Sequence, residues 1–321
     1  MLGKRVILMD ISLPSDEFIK TSFQDACKTL GIENFEQSLK QTVIYDMTDG
    51  MRTSTQLKGS NAYYDGGIFV VRLMNIMRVL GMPACYVNVI EEKHRQRDNY
   101  SDIYEGLKLL YATYEEYAQK YGVRLNFVGD LETALEPSGS SGGFGENLKR
   151  LCQKTAGNTQ FTANFLINYS LDWAMKHESY FTGFPKIDVT IRHTKLQFPT
   201  GMMLPPTISD FSSLMYVQQG SASSTWNDNQ LIYLVAVALR SKILNESTQY
   251  FKQYADGERD FVRSQRETEL YLVHRRPFVE KLIGDIMYAK IKTSSIPLAE
   301  NVPQTKRMMI TGNLGPEIYE F

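Results

Sequence analysis

Short apolar runs punctuate the first two thirds of the chain: Val6–Met9, Thr42–Tyr45, Ala84–Ile90, Arg124–Val128, Thr162–Ile167 and Asp188–Ile191. Their length and their β-branched and aromatic content predict strands. Between them lie helix-period segments. Over 67–80, Phe69, Val70, Leu73, Ile76, Met77 and Leu80 fall on one face, and 102–121 and 146–155 also read as helices. Strands alternating with helices predict an α/β fold, a mostly parallel sheet flanked by helices on both faces. In such sheets ligands bind beyond the carboxyl ends of the strands. The Ser/Gly run Ser138–Gly145 reads as a surface loop, and it lacks the Lys-Ser/Thr of a phosphate-binding P-loop. After Asn227 helical patterns recur over 231–244, 248–261, 266–272 and 277–290, either covering the sheet or forming an appended subdomain. The last thirty residues read as an irregular tail. No repeat at solenoid spacing occurs.

Composition narrows the class. With 321 residues the chain makes one large domain or two ordinary ones. Apolar residues at 43% and charged residues at 22% are those of a globular protein rather than a disordered one. Lys+Arg at 35 nearly balances Asp+Glu at 36. No basic excess asks for nucleic acid or an anionic membrane, so an anionic ligand needs a local arrangement. Cys27, Cys85 and Cys152 have no paired spacing, which argues against a disulfide framework or a cysteine zinc site and fits reduced thiols in the cytoplasm. The apolar run after Lys4-Arg5 is too short for a secretion signal, and no stretch approaches the ~20 apolar residues of a membrane span.

Three polar segments follow predicted strands. Asp46-Met47-Thr48-Asp49-Gly50-Met51-Arg52 can serve a magnesium-bound diphosphate: the carboxylate takes the hard cation and the guanidinium pairs with phosphate oxygens. The same stretch also suits an ordinary Asp-Gly turn. Arg192 ends the strand at 188–191 and is equally a surface cation just past a strand. The segment 91–98, Glu-Glu-Lys-His-Arg-Gln-Arg-Asp, is a solvated polar loop or a source of a general base in His94. The aromatic pairs Tyr63/Tyr64 and Tyr169/Trp173 suit core or rim packing. No nucleophile elbow, metal-binding His pair or dinucleotide glycine fingerprint is present.

A set of short motifs in one order is more specific. Val123–Asp130, Thr155-Ala156-Gly157-Asn158-Thr159, Asn168-Tyr169-Ser170-Leu171-Asp172-Trp173, Ile187–Arg192 and Thr225-Trp226-Asn227-Asp228 resemble, in order and spacing, the cis-prenyltransferases (undecaprenyl diphosphate synthase-like family). The resemblance runs from about residue 42 to about 235. It implies a cis-prenyltransferase-like domain over 41–245, an N-terminal extension over 1–40 and a C-terminal helical extension over 246–321. It also implies a hydrophobic tunnel beside the sheet, a homodimer, magnesium and prenyl diphosphate substrates. Family members join isopentenyl diphosphate to an allylic diphosphate with cis geometry.

Carried over by motif, Asp49 falls on the metal-binding Asp and Arg52 stands one position before the diphosphate-binding Arg, whose place Thr53 takes. Met51 replaces an Asn. In the loop at 91–97, Lys93 replaces a Glu, His94 an Asn, and Arg97 is kept. Arg192 matches the first Arg of the isopentenyl site, Thr200 replaces its Ser hydroxyl, and Phe198 replaces its second Arg. Phe211 takes the place of a metal-binding Glu, with Asp210 beside it as the replacement. Losing one bidentate Arg–phosphate contact costs roughly 1.5–3 kcal/mol, about 10–150-fold in binding.

The expected activity is therefore isoprenoid biosynthesis on an allylic prenyl diphosphate such as geranyl or farnesyl diphosphate, giving a short-chain product. Asp49 holds magnesium, Arg52, Arg97, Arg192 and Thr200 hold diphosphate, and His94 accepts the final proton. A single-substrate terpene synthase or cyclase, and a non-catalytic interaction subunit, are the alternatives on the same fold.

Overall fold

The computed structural model describes residues 12–48, 55, 57–132, 143–193, 200–209, 212–217, 226–246, 307–312 and 315–320. It begins with helix α1 (Asp16–Thr29), whose N-cap Ser15 accepts a hydrogen bond from the Phe18 N–H while Asp16 and Glu17 complement the helix dipole. A short α2 (Glu36–Leu39) leads into β1 (Val43–Met47). There follow α3 (Ser60–Val79), β2 (Ala84–Glu91), a 3-10 turn (Glu92–Gln96), α4 (Tyr100–Tyr121), β3 (Val123–Val128), α5 (Phe144–Thr155) and β4 (Phe161–Tyr169). The chain continues with α6 (Leu171–Lys176), 3-10 turns at Glu178–Phe181 and Thr200–Met202 on either side of β5 (Val189–His193), then α7 (Pro206–Ser209), β6 (Ser213–Val217) and α8 (Asp228–Glu246).

The six strands form one all-parallel sheet in the order β3-β4-β2-β1-β5-β6. This is the predicted α/β architecture. Its two faces are covered differently. Ile44, Cys85, Val87, Phe127, Phe165 and Ile191 face a core shared with α1, α3, α4, α5 and α8. Val43, Tyr45, Met47, Tyr86, Val128 and Leu166 face a thinner cover built from α6, α7 and the 3-10 turns, through Ala174, Phe181, Met202, Leu204 and Ile208. Within the stretch read as an N-terminal extension, Ile19, Phe23 and Leu39 are buried in the first core, where α1 packs on α3 and α8.

Several boundaries differ from the sequence reading. Helix α3 begins at Ser60 rather than 67 and runs through Gly66-Gly67 without a break. A Cβ on Gly67 would stand 2.1 Å from Leu110 Cδ1, and one on Gly106 of α4 would stand 2.6 Å from Tyr63 Cβ. Both glycines let two helix backbones approach closely. Gly145, read as loop, is helical, and a Cβ there would lie 2.4 Å from the Leu131 carbonyl oxygen. Strand β6 was not expected. The supposed irregular tail contains an antiparallel hairpin, β7 (Arg307–Gly312) with β8 (Gly315–Glu320), where alternating backbone pairs satisfy each other. The run Val6–Met9, the loop 138–142 and the helices expected over 248–261, 266–272 and 277–290 lie outside the described residues. No helix among the described residues is long and apolar enough to cross a membrane.

Candidate active site

The topology itself marks one place. From β1 the chain moves through α3 to β2 on one side. From β4 it returns past β1 and adds β5 on the other side. Helix α3 lies on the first face of the sheet, whereas the 3-10 turn and α7 that follow β5 lie on the second. The connections therefore diverge at the carboxyl ends of β1 and β5, which is where open parallel sheets bind ligands.

Arg192 stands at this junction as the register partner of Met47. Only 5% of it is exposed, so it is not the surface cation that its position past a strand allowed. On the other side of β1, Glu91 ends β2 and is also 5% exposed. A buried charge persists only where it is paired or hydrogen-bonded. Tyr45, on the second face, senses this setting. Burial pushes its hydroxyl well above the ordinary tyrosine value, Tyr169, Glu91 and Asp46 add to the rise, and Arg192 opposes it. The Tyr45 hydroxyl donates to the Met202 carbonyl at 2.6 Å, and Tyr169 of β4 donates to the Met203 carbonyl at 2.7 Å. These bonds fix the segment after β5 over the sheet.

The segment after β2 is not a loose polar loop. Glu91 and His94 form a capping box: the Glu91 carboxylate accepts from the His94 backbone N–H, and the Glu91 N–H donates to His94 Nδ1 at 3.3 Å. That bond assigns the Nε2–H tautomer to the neutral ring. His94 Nε2 lies 4.0 Å from Glu91 Oε1, and Lys93 Nζ lies 2.5 Å from Glu91 Oε2. The expected proton acceptor thus has its lone pair engaged by the backbone. Arg97 follows the turn, half-buried, with its N–H donating to the His94 carbonyl at 3.1 Å. Its guanidinium makes no hydrogen bond or ion pair among the described residues.

Arg192, Glu91, His94 and Arg97 are therefore held at the carboxyl ends of β5 and β2. Thr200 opens the 3-10 turn beyond β5. Asp49, Arg52 and Asp210 lie outside the described residues, as do Met51, Thr53, Phe198 and Phe211. Among the described residues no group of three or more His, Cys, Asp or Glu side chains is placed to hold a metal. Glu91 was missed as a site residue. Its signal was the N-cap-to-N3 spacing of Glu91 and His94 immediately after a strand.

Most motif residues that carry the family resemblance serve the fold. Thr155 Oγ1 accepts from the Leu125 N–H at 3.0 Å, and Asn158 Nδ2 donates to the Val123 carbonyl at 2.9 Å, tying α5 to β3. Asn168, at φ 51°, donates from Nδ2 to the Asp130 carbonyl at 2.8 Å and joins the ends of β3 and β4. Asp188 Oδ2 accepts from the Val43 N–H at 2.8 Å. Asp228 pairs with Arg72 at 2.8 Å, locking α8 to α3. Tyr169 is fully buried and Trp173 packs edge-on against it at 6.3 Å, as expected of core and rim aromatics.

No protein-family model matches the chain. No curated protein sequence matches it. Among solved structures, the chain is similar to a probable undecaprenyl diphosphate synthase from Campylobacter jejuni, with a TM-score of 0.48 and 13% identity over 62% of this chain and 95% of that one.

Proposed function

We propose that the carboxyl ends of β1 and β5 bind the diphosphate of an allylic prenyl substrate and that the protein is a prenyltransferase of isoprenoid biosynthesis. One observation carries the reading. The switch point of the sheet sets a buried guanidinium, Arg192, beside the strand that Asp49 and Arg52 follow in the sequence. The ordered motif resemblance points to the same chemistry. In that reaction the allylic C–O bond breaks and its electron pair leaves on the diphosphate. The allylic cation then alkylates the double bond of isopentenyl diphosphate, and a proton is lost. Arg192, with Arg97 and Arg52, offsets the charge on the departing diphosphate. Magnesium, if held by Asp49 and Asp210, would add Lewis-acid neutralisation of that group.

The test offers geranyl and farnesyl diphosphate separately, with magnesium, each with and without isopentenyl diphosphate. Products are read by gas chromatography with mass detection after dephosphorylation. Elongated products that need isopentenyl diphosphate, lost in Asp49→Ala and Arg192→Ala proteins with unchanged circular dichroism, support the proposal. Alcohols or hydrocarbons from the allylic substrate alone would replace it with a terpene synthase. A folded protein that makes nothing and binds no diphosphate would overturn it in favour of an interaction subunit.

A further inference from the structure

We infer that His94 is a positioning residue: its neutral imidazole latches the turn that carries Arg97, and the latch opens when the ring takes a proton. A capping box ordinarily uses a Glu or Gln at N3, whose oxygen accepts at any pH above the carboxyl range. Here the acceptor is Nδ1 of an imidazole, which accepts only when unprotonated. His94 closes the turn at three points. Its ring accepts the Glu91 N–H, its own N–H binds the Glu91 carboxylate, and its carbonyl accepts the Arg97 N–H at 3.1 Å.

Protonation reverses the first of these. An Nδ1–H would meet the Glu91 N–H donor head-on, and the imidazolium would be drawn to the Glu91 carboxylate. That carboxylate already holds Lys93, with Nζ at 2.5 Å from Oε2, and has Oε1 4.0 Å from His94 Nε2. One carboxylate then faces two cations and the backbone contact is given up. The elements packed against the turn bring Glu91 from β2, Tyr169 from β4, and Tyr100 and Asp102 from the first turn of α4, with the Asp102 carboxylate lying against Gly59. The turn itself adds Glu92, Lys93, Arg95 and Arg97. The His94 side chain is 14% exposed, so the ring exchanges protons with solvent.

The latch stands on geometry alone. Its effect on ligand affinity rests on the diphosphate reading proposed above. The experiment follows the Glu91 and Arg97 amide resonances from pH 5 to 8.5 in the full chain, His94→Gln and His94→Ala. Glutamine keeps an acceptor at N3 and removes the titration. The expected result is one titration step in the unmodified protein, none in His94→Gln, and faster amide exchange at every pH in His94→Ala. Inorganic pyrophosphate binding is measured by calorimetry at pH 6 and 8, and the ratio between the unmodified protein and His94→Gln cancels the titration of pyrophosphate itself. The unmodified protein should lose about 3–10-fold more affinity at pH 6 than His94→Gln does, the effect of one weakened charged contact. A flat Glu91 amide, or the same step in His94→Gln, overturns the latch. A titrating amide with no pyrophosphate binding at either pH keeps the latch and overturns the diphosphate reading.

Discussion

Tyr45 and Tyr86 are register partners in β1 and β2, and their hydroxyls leave the same face of the sheet to donate to backbone carbonyls of the covering layer, Met202 at 2.6 Å and Pro185 at 2.7 Å. Each bond pins an otherwise irregular segment to a central strand. Tyr45→Phe and Tyr86→Phe keep the ring and strand a buried carbonyl. Each should cost about 1–2 kcal/mol in urea unfolding. Because the two rings are neighbours, the double variant should depart from the sum of the singles.

Alkaline pH should unfold the protein through the same kind of group. Burial raises the hydroxyls of Tyr86, Tyr114, Tyr117 and Tyr169, and it pushes the Cys27 thiol up to about 12. A group whose folded value is raised holds its proton more tightly in the native state. Its stabilisation is whole below the unfolded value, about 8.5 for Cys and 10 for Tyr, and is lost as pH climbs toward the folded one. The melting temperature should therefore stay level through pH 8 and fall from about pH 9 upward. In a tyrosinate absorbance titration, these rings should ionise only as the chain unfolds. At pH 8 Cys27 and Cys85, both fully buried, should resist a thiol reagent until denaturant is added.

Gly67→Ala should destabilise by about 1–3 kcal/mol, since its methyl would stand 2.1 Å from Leu110 Cδ1 where α3 crosses α4. Combining it with Leu110→Ala removes the clash. The pair should then be more stable than the sum of the single effects requires, a coupling readable in chemical denaturation.

Lys242 and Asp188 form a pair at the amino edge of the sheet. Lys242, 4% exposed, donates to the Gln41 carbonyl at 2.8 Å and lies 3.4 Å from Asp188 Oδ1, while Asp188 Oδ2 holds the Val43 N–H. Asp188→Ala removes the anion beside a buried ammonium and should cost about 3 kcal/mol, at the low end for broken buried pairs because the aspartate is partly solvated. Calorimetric melting of the variant checks this.

The parallel sheet was legible because strand and helix periodicities alternate, and β1 to β5 all fall on runs visible in the sequence. One glycine misled: Gly145 read as the end of a loop, yet it is helical and sits against the Leu131 carbonyl, a property of the neighbouring segment rather than of the local sequence. The site was legible in part. Arg192 stood out as a cation at a strand end, but its burial is a property of the packed sheet and not of its place in the sequence. Glu91 looked like one polar residue among many, because only the fold shows that the strand carries it into the interior. Conversely, Thr155, Asn158, Asn168 and Asp188 drew attention as motif residues, and the hydrogen bonds show them holding strands and helices together.

The strand order also sets a schedule for synthesis. Among the described strands β1 is made first and lies inside the sheet, yet its second neighbour, β5, is anchored by the Asp188–Val43 bond across 145 residues of chain. At translation speeds of ~5–20 residues per second, β1 leaves the ribosome on the order of ten seconds before that neighbour exists. During this interval an apolar strand, Val43-Ile44-Tyr45, presents an open edge to the cell.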